Sequence, residues 1–323
     1  MRIRDHMLSS VVALFAACVG TLSSAQSFPA RPVKVLIGTP AGSGIDVGMR
    51  IIGSKVPPQL GQPLVIELRP GADGVIAARQ AAGATPDGYT VLAASNGHMA
   101  ITPVVQQGAG YDPLRDFEPV AMLSRNPSVL VVNIGVPAQD VAQFVRHAKT
   151  HTSGLRYGSS STNYMFAMEL FKSLTGVPMQ HIPYQGNPQV GSALVGGDVQ
   201  SAILSLTSVA GLLQGGKLRA LAIAGSARDA ALPGVPTLAE AGVRGFDIDV
   251  WVGMFAPAGT PPQPLAQLGA ALRSVLDASD VRDQLARAGI AASWSTPAAL
   301  RDTVVRDLNT YRTLAVRLAV PEK

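Results

Sequence analysis

Short apolar runs rich in β-branched residues alternate along this chain with stretches in which apolar positions recur every third or fourth residue. The runs 33–37, 64–68 and 89–94 read as strands buried in a sheet. A helix of about a dozen residues follows the first run, with Val47, Met49, Ile51 and Ile52 partly on one face and a stop before Pro57-Pro58. Arg69-Pro70-Gly71-Ala72-Asp73-Gly74 is a turn opening a helix over 75–84, and Pro86-Asp87-Gly88 a turn ahead of the third run. Ser95-Asn96-Gly97-His98 then reads as a polar loop. Apolar runs at 120–123 and 128–134, a helix over 138–149 and a run at 155–157 continue the alternation. So do a helix over 164–174, with Met165, Met168 and Phe171 as core contacts, one over 190–195, a strand over 198–204, a helix through 213 and a strand over 218–223. After a rigid proline loop at 232–237, an extended run at 246–255 carries Trp251, and helices at 265–277, 281–288 and 298–318 close the pattern. Asp247, Asp249 and Trp251 share one face by the strand period of two, with an exposed edge as the plain reading. The alternation predicts an α/β fold of two open, mostly parallel sheets with helices on both faces. Ser124-Arg125-Asn126-Pro127 and the run 246–255 read as the two crossovers between them.

Two joints carry candidate chemistry. Residues 38–44 place Gly38, Gly42 and Gly44 with Thr39, Pro40 and Ser43 between a strand and a helix. A helix start has N–H groups without partners and partial positive charge, so this is the first candidate anion site. The glycines match neither a dinucleotide fingerprint nor a phosphate loop. The second candidate, Gly158-Ser159-Ser160-Ser161-Thr162-Asn163, also opens a helix and lies on the opposite domain.

Composition narrows the function classes. The 323 residues suffice for two α/β domains, and charged residues are only 15%. The net charge of +5 is scattered without a basic run interleaved with aromatics, so nucleic acid is not an expected partner. Residues 1–25 read as a secretory signal peptide cut after Ala25: Arg2 and Arg4, an apolar stretch over 8–22, then Ser23-Ser24-Ala25. Phe15-Ala16-Ala17-Cys18 loosely resembles a lipoprotein cleavage site, which leaves lipidation of Cys18 as an alternative, with Phe15 a poor fit. Cys18 is the only cysteine, so the mature chain has no disulfide or thiolate nucleophile. His147 and His151 stand four apart without an intervening Glu, and no G-x-S-x-G elbow occurs, so neither a metal site, a cofactor site nor an enzyme is expected.

In order along the chain, Phe28-Pro29-Ala30-Arg31-Pro32-Val33, the loop from Pro40 to Asp46, Gly61-Gln62-Pro63-Leu64, Arg69-Pro70-Gly71-Ala72 with Gly74, and Pro86-Asp87-Gly88-Tyr89-Thr90 form one set of landmarks. Pro183-Tyr184-Gln185-Gly186, Gly216-Lys217-Leu218-Arg219-Ala220, Pro233-Gly234-Val235-Pro236-Thr237 with Glu240-Ala241-Gly242, and Trp251 followed by Ala256-Pro257-Ala258-Gly259-Thr260-Pro261 continue it. With these the chain resembles the periplasmic binding proteins of tripartite tricarboxylate transport systems, the Bug family of extracytoplasmic receptors. The resemblance implies a type II periplasmic binding-protein-like clamshell: residues 27–123 plus 252–323 as one domain, 124–251 as the other, a ligand cleft between them and hinge motion at the crossovers. It implies capture of a small organic carboxylate for the membrane permease of a tripartite tricarboxylate transporter, by a periplasmic monomer without cofactor. A ligand sensor for a membrane signalling partner, or a secreted hydrolase, are the alternatives.

Carried over, the first-domain pocket comprises Ala41, Gly42, Ser43, Gly44, Ile45 and Asp46, where Asp46 either caps the helix or meets ligand. Ser95 and Asn96 join it. The second-domain set is Ser159, Ser160, Ser161 and Thr162, with Tyr184, Gly186 and Leu206. Here the chain departs from the family pattern: the loop is shorter, Met165 stands where a His is usual, and Gln200 replaces an Asp. The ligand carboxylate is expected to be held by backbone N–H and hydroxyl groups without an obligatory Arg.

Overall fold

The computed structural model describes residues 28–318 apart from 107, 152, 153, 247 and 249. The leader, Cys18, and the alternation of Asp247 and Asp249 therefore lie outside the described residues. In chain order the elements begin with β1 (Val33–Ile37), α1 (Gly44–Lys55), α2 (Pro57–Leu60), β2 (Leu64–Leu68), α3 (Val75–Ala82), β3 (Thr90–Ser95), α4 (Thr102–Val105), β4 (Phe117–Asn126) and β5 (Ser128–Asn133). They continue with α5 (Val141–Thr150), β6 (Leu155–Ser159), α6 (Thr162–Thr175), β7 (Met179–Pro183), α7 (Asn187–Gly196), β8 (Ser201–Ser205), α8 (Leu206–Gln214) and β9 (Leu218–Ala224). The chain then closes with β10 (Val250–Pro257), α9 (Pro262–Asp277), α10 (Ser279–Arg287), β11 (Ala291–Ser295) and α11 (Pro297–Leu318).

Two sheets result, in the orders β11-β4-β10-β3-β1-β2 and β7-β6-β8-β5-β9. The chain passes from the first to the second through Pro127, and returns between Ala224 and Val250. The α/β architecture is as the alternation predicts, with sheets that are mixed rather than mostly parallel. The strands that enter and leave at the crossovers account for the mixing. β10 returns between β3 and β4 and runs antiparallel to both, while β5 enters the second sheet antiparallel to β8 and β9. The parallel pairs are β1 with β2 and β3, and β6 with β7 and β8.

Side chains alternate across each pleat and sort the core into layers. Val33, Val35 and Ile37 of β1 meet Ile45, Met49 and Ile52 of α1 and Leu268, Leu272 and Val275 of α9 on one face. Leu36 points to the other face, among Val75 and Ala78 of α3 and Leu300, Val304 and Leu308 of α11. In the second sheet Val129 and Val131 face Val190 and Leu194 of α7, while Leu130 and Val132 face Phe144 of α5 and Phe166 and Phe171 of α6. The layer holding α6 and α11 is continuous between the sheets: the rings of Phe166 and Tyr311 meet edge to face at 5.5 Å. Met168 and Phe171 are buried there and Met165 is partly so.

Two expectations change, and one strand has no counterpart in the sequence reading. Residues 95–98 are not a free polar loop, because β3 runs through Ser95 and a helical turn starts at Gly97 (Gly97–Ile101). β11, a run of Ala and Ser around Trp294, forms a strand only because β4 offers it an edge. Trp251 is not on an exposed edge: it is wholly buried and its indole N–H donates to Asp307 Oδ2 at 2.7 Å.

Candidate functional site

The strands that run parallel within each sheet carry their loops at the carboxyl end, which is where open α/β sheets bind ligands. β1 and β3 are neighbours, so the loop after Ile37 and the turn after Ser95 lie side by side. β6 lies between β7 and β8, so Ser160-Ser161, Tyr184-Gln185-Gly186 and Leu206 form a second set.

The first loop is bonded to itself. Ser43 is the N-cap of α1, accepting from Asp46 N at 3.3 Å and sharing a 2.6 Å bond with the Thr39 hydroxyl. Asp46 is buried; its Oδ2 accepts the Gly42 N–H at 2.9 Å and its Oδ1 lies 2.8 Å from Arg50 Nε. Asp46 therefore holds the loop together, and the Gly42 amide is already committed to it. Gly42 takes a left-handed φ of 78° to make this turn. The amides of Gly44 and Ile45, the first two of α1, have no partner among the described bonds, and Ala41 and Gly44 are exposed. These two N–H groups are what the loop offers an anion.

In the adjacent turn, His98 Nδ1 lies 3.1 Å from Ser95 N and 3.2 Å from Ser95 Oγ. Since the backbone N–H donates, Nδ1 is the acceptor and the proton sits on Nε2. The buried ring packs against Gly74, and burial pushes the His98 pKa from 6.5 down to about 4, opposed by Asp73. A depressed imidazole pKa favours the folded state when neutral. Its contribution is complete above about pH 6.5 and is lost as pH falls toward 4, by about 3 kcal/mol. Urea denaturation at pH 7 and pH 4.5 should show that loss, and His98→Gln should flatten the profile in this window; an unchanged profile in the variant would exclude His98 as its source.

In the second set, Ser159 is buried and its Oγ lies 2.7 Å from His181 Nε2. The imidazole stacks on Tyr157 at 5.0 Å, and Tyr157 donates to Glu169, which also pairs with Lys172. Burial lowers the His181 pKa, Lys172 adds to that and Glu169 opposes it. A serine beside a neutral imidazole is the pair a hydrolase needs, yet this serine is buried and no carboxylate bonds the imidazole among the described residues. The pair instead fixes the root of the loop. Ser160 donates to Asn187 Oδ1. Ser161 and Thr162 are exposed, and the Ser161 hydroxyl does not cap its own helix. The amides of Thr162, Asn163 and Tyr164 are without partners among the described bonds, a second anion-binding helix start.

The Tyr184 ring lies over Gly158, whose added Cβ would come within 3.3 Å of it, and Tyr184 N donates to Ser159 O at 2.8 Å. Gly186, half-buried, is the N-cap of α7. Leu206 is buried among Val190, Val209 and Leu204, and its N–H goes to Pro127 O at 2.9 Å, so it anchors the crossover and presents no side chain to a ligand. Gln200 bonds to Arg156 N and Gly197 O at the amino ends of the strands, remote from both loop sets, so the charge it lacks does not bear on them.

The two sets face one another. Asn163 Nδ2 reaches Asn96 Oδ1 at 3.4 Å, and Asn96, wholly buried, donates to Tyr311 OH at 3.2 Å. Gly289 comes so near Thr207 that a Cβ would lie 2.5 Å from its Cγ2. No described bond joins residues 41–44 to the second sheet. A cavity of about 1060 Å³ lies elsewhere, at the amino ends of β6 and β7, and shares no residue with either set. His147 and His151 line it, their rings 5.3 Å apart, and no group of three metal-ligating side chains occurs among the described residues. Asn163 belongs to the second candidate loop read from the sequence, whereas Asn187, Ser205 and Thr207 are not among the residues the sequence singles out. Their signal was available: each is polar and stands within a few residues of the carboxyl end of a strand.

The tripartite tricarboxylate transporter family receptor model matches residues 49–308. A UPF0065 protein encoded in the tcbD-tcbE intergenic region of Pseudomonas sp. strain P51 is 31% identical over 97% of this chain and 94% of its own length. Among solved structures, R. palustris Rpa4515 with adipate has a TM-score of 0.73 at 30% identity, covering 90% of this chain and 97% of that one. MatC from Rhodopseudomonas palustris with bound malate has a TM-score of 0.70 at 32% identity, covering 89% and 99%. The family model and the relatives it accompanies agree with the fold: the chain belongs to the tripartite tricarboxylate transporter family of receptors and is a solute-binding protein of the periplasmic TctC and Bug type.

Proposed function

We propose that the protein captures a small organic carboxylate between its two sheets and hands it to the membrane permease of a tripartite tricarboxylate transporter, acting in the periplasm after its leader is removed. The observation that carries this reading is the pair of helix starts, at Gly44-Ile45 and at Thr162-Asn163-Tyr164, whose amides have no partner among the described bonds. Backbone N–H groups at two helix starts suit a carboxylate at each end of a small molecule. The hydroxyls of Ser161 and Thr162 add donors, and the guanidinium bonded near the first loop, Arg50, is held by Asp46. Closure at Pro127 and at the return before β10 encloses the ligand. Rpa4515 and MatC, whose structures hold adipate and malate, set the first compounds to try.

The test is a thermal-shift series of the purified protein with malate, adipate, citrate and aspartate. A ligand at a hundredfold excess over its dissociation constant stabilises the folded state by about 2.7 kcal/mol. A selective rise in the melting midpoint, abolished by Ser161→Ala together with Thr162→Pro, which removes both hydroxyls and the first amide at a helix position that tolerates proline, is the expected result. No rise with any carboxylate would overturn the reading.

A further inference from the structure

The two helix starts of the site differ in charge. The first turn of α6 carries no acidic residue, whereas α1 has Asp46 as its third residue, directly after the amides of Gly44 and Ile45. An acidic side chain in a first turn satisfies the field of the helix end, which leaves less of it for a ligand. A helix start is worth about half an elementary positive charge, so one full negative charge beside it outweighs it. Left alone, Asp46 would make this loop repel the carboxylate that it is proposed to receive.

The two carboxylate oxygens of Asp46 have separate partners. Oδ2 accepts the Gly42 N–H at 2.9 Å and closes the turn. Oδ1 is buried and takes no hydrogen bond among the described residues; it meets the Arg50 guanidinium as an ion pair, 2.8 Å from Nε. The Asp46 side chain is only 4% exposed, and Arg50, one helical turn further along α1, is its single ion-pair partner among the described residues. Arg50 in turn is 59% exposed and makes no other described hydrogen bond or ion pair, so it braces no second element. The loop takes its shape from one oxygen of Asp46 and its sign from what neutralises the other.

We propose that Arg50 is a positioning residue that acts through Asp46: its charge cancels that of the buried carboxylate and leaves the start of α1 attractive to an anion. The guanidinium need not touch the ligand. This inference rests on the carboxylate-binding function proposed above and names the residue on which the first loop's part in it depends.

Arg50→Gln removes the charge and keeps a polar side chain. Calorimetric titration with malate and with adipate, well below each variant's melting midpoint, should show affinity about tenfold weaker for whichever compound the wild type binds. The gap should narrow as salt is raised from about 20 mM to about 500 mM, because screening acts on charge and not on loop shape. Arg50→Lys keeps the charge and should stay within about threefold of wild type. Asp46→Asn removes the negative charge, while its side-chain oxygen can still accept the Gly42 N–H. It should bind at least as tightly as wild type, and adding Arg50→Gln to it should cost about twofold or less.

Wild-type affinity in Arg50→Gln overturns the proposal. So does a loss that persists in full in the Asp46→Asn background, which would mean that the guanidinium contacts the ligand or shapes the loop directly, and so does a loss that salt leaves unchanged. The wild-type titration reports on the binding function by itself. If no carboxylate binds the wild type, that function falls and this inference with it; if the wild type binds and Arg50→Gln binds equally well, the inference alone is lost.

Discussion

Trp251→Ala is expected to destabilise the protein by about 4 kcal/mol or more, with the loss visible as an earlier midpoint in urea denaturation followed by circular dichroism. Two terms add. Truncating a fully buried tryptophan costs about 3–5 kcal/mol in lost burial and residual cavity. The indole N–H also donates to the buried Asp307 carboxylate at 2.7 Å, and removing one donor from such a buried group costs about 1–3 kcal/mol more. Trp251 belongs to β10, which lies between β3 and β4 in the first sheet, and its ring leans on Phe255, which in turn meets Phe117, itself edge to face with Tyr111. The variant thus opens a void under the strand that returns from the second sheet. Trp251→Phe isolates the polar term, since the ring volume is mostly kept while the donor is lost. Pairing it with Asp307→Leu should recover part of the loss, and failure to recover would show that the indole-carboxylate bond contributes little.

Gly74→Val is expected to cost about as much, for a different reason. Gly74 has φ 85°, where a β-branched residue is strained by roughly 1–3 kcal/mol. Even a Cβ there would lie 2.0 Å from His98 Cδ2, and Gly38 approaches from another side, its own added Cβ falling 2.6 Å from Gly74 Cα. Forcing a side chain into such a space adds about 1–3 kcal/mol or displaces the buried ring. Because His98 holds Ser95, the damage should reach the cleft: any ligand found by thermal shift should bind Gly74→Val more weakly. Gly234→Ala is the control, since that position lies outside both loop sets, has no left-handed φ and has nothing within 4 Å of an added Cβ. Equal midpoints for Gly74→Val and wild type would remove close packing at Gly38, Gly74 and His98 as a determinant of stability.

Much of this architecture is legible in the residue pattern, and the reasons are local. Val33–Ile37 and Leu64–Leu68 appear with the bounds read from the sequence, because buried strands need unbroken apolar runs and the flanking Pro and Gly mark their ends. The two helix starts were legible as small polar loops between a strand and a helix. What was not legible depends on neighbours distant in sequence. Ala291–Ser295 carries no strand signal of its own and pairs because β4 is there. The burial of Trp251 is set by α11, more than fifty residues later, through Asp307 at a separation of 56. That Asp46 would consume the Gly42 amide, and that Leu206 would face the core, follow from bond directions that one-dimensional spacing does not encode.

The placement of β10 also fixes the order in which the chain can assemble. All five strands of the second sheet fall in one unbroken stretch, from Ser128 to Ala224, so that sheet can form as soon as this stretch has left the ribosome. The first sheet has to wait. Its interior is incomplete until residues 250–257 slot between β3 and β4, after more than a hundred intervening residues have been made. Such distant pairing is slow and leaves β3 and β4 with unpaired edges in the interim. During synthesis, then, the later-begun sheet is the first to be finished, and the emerging amino-terminal half is the part that needs protection from aggregation.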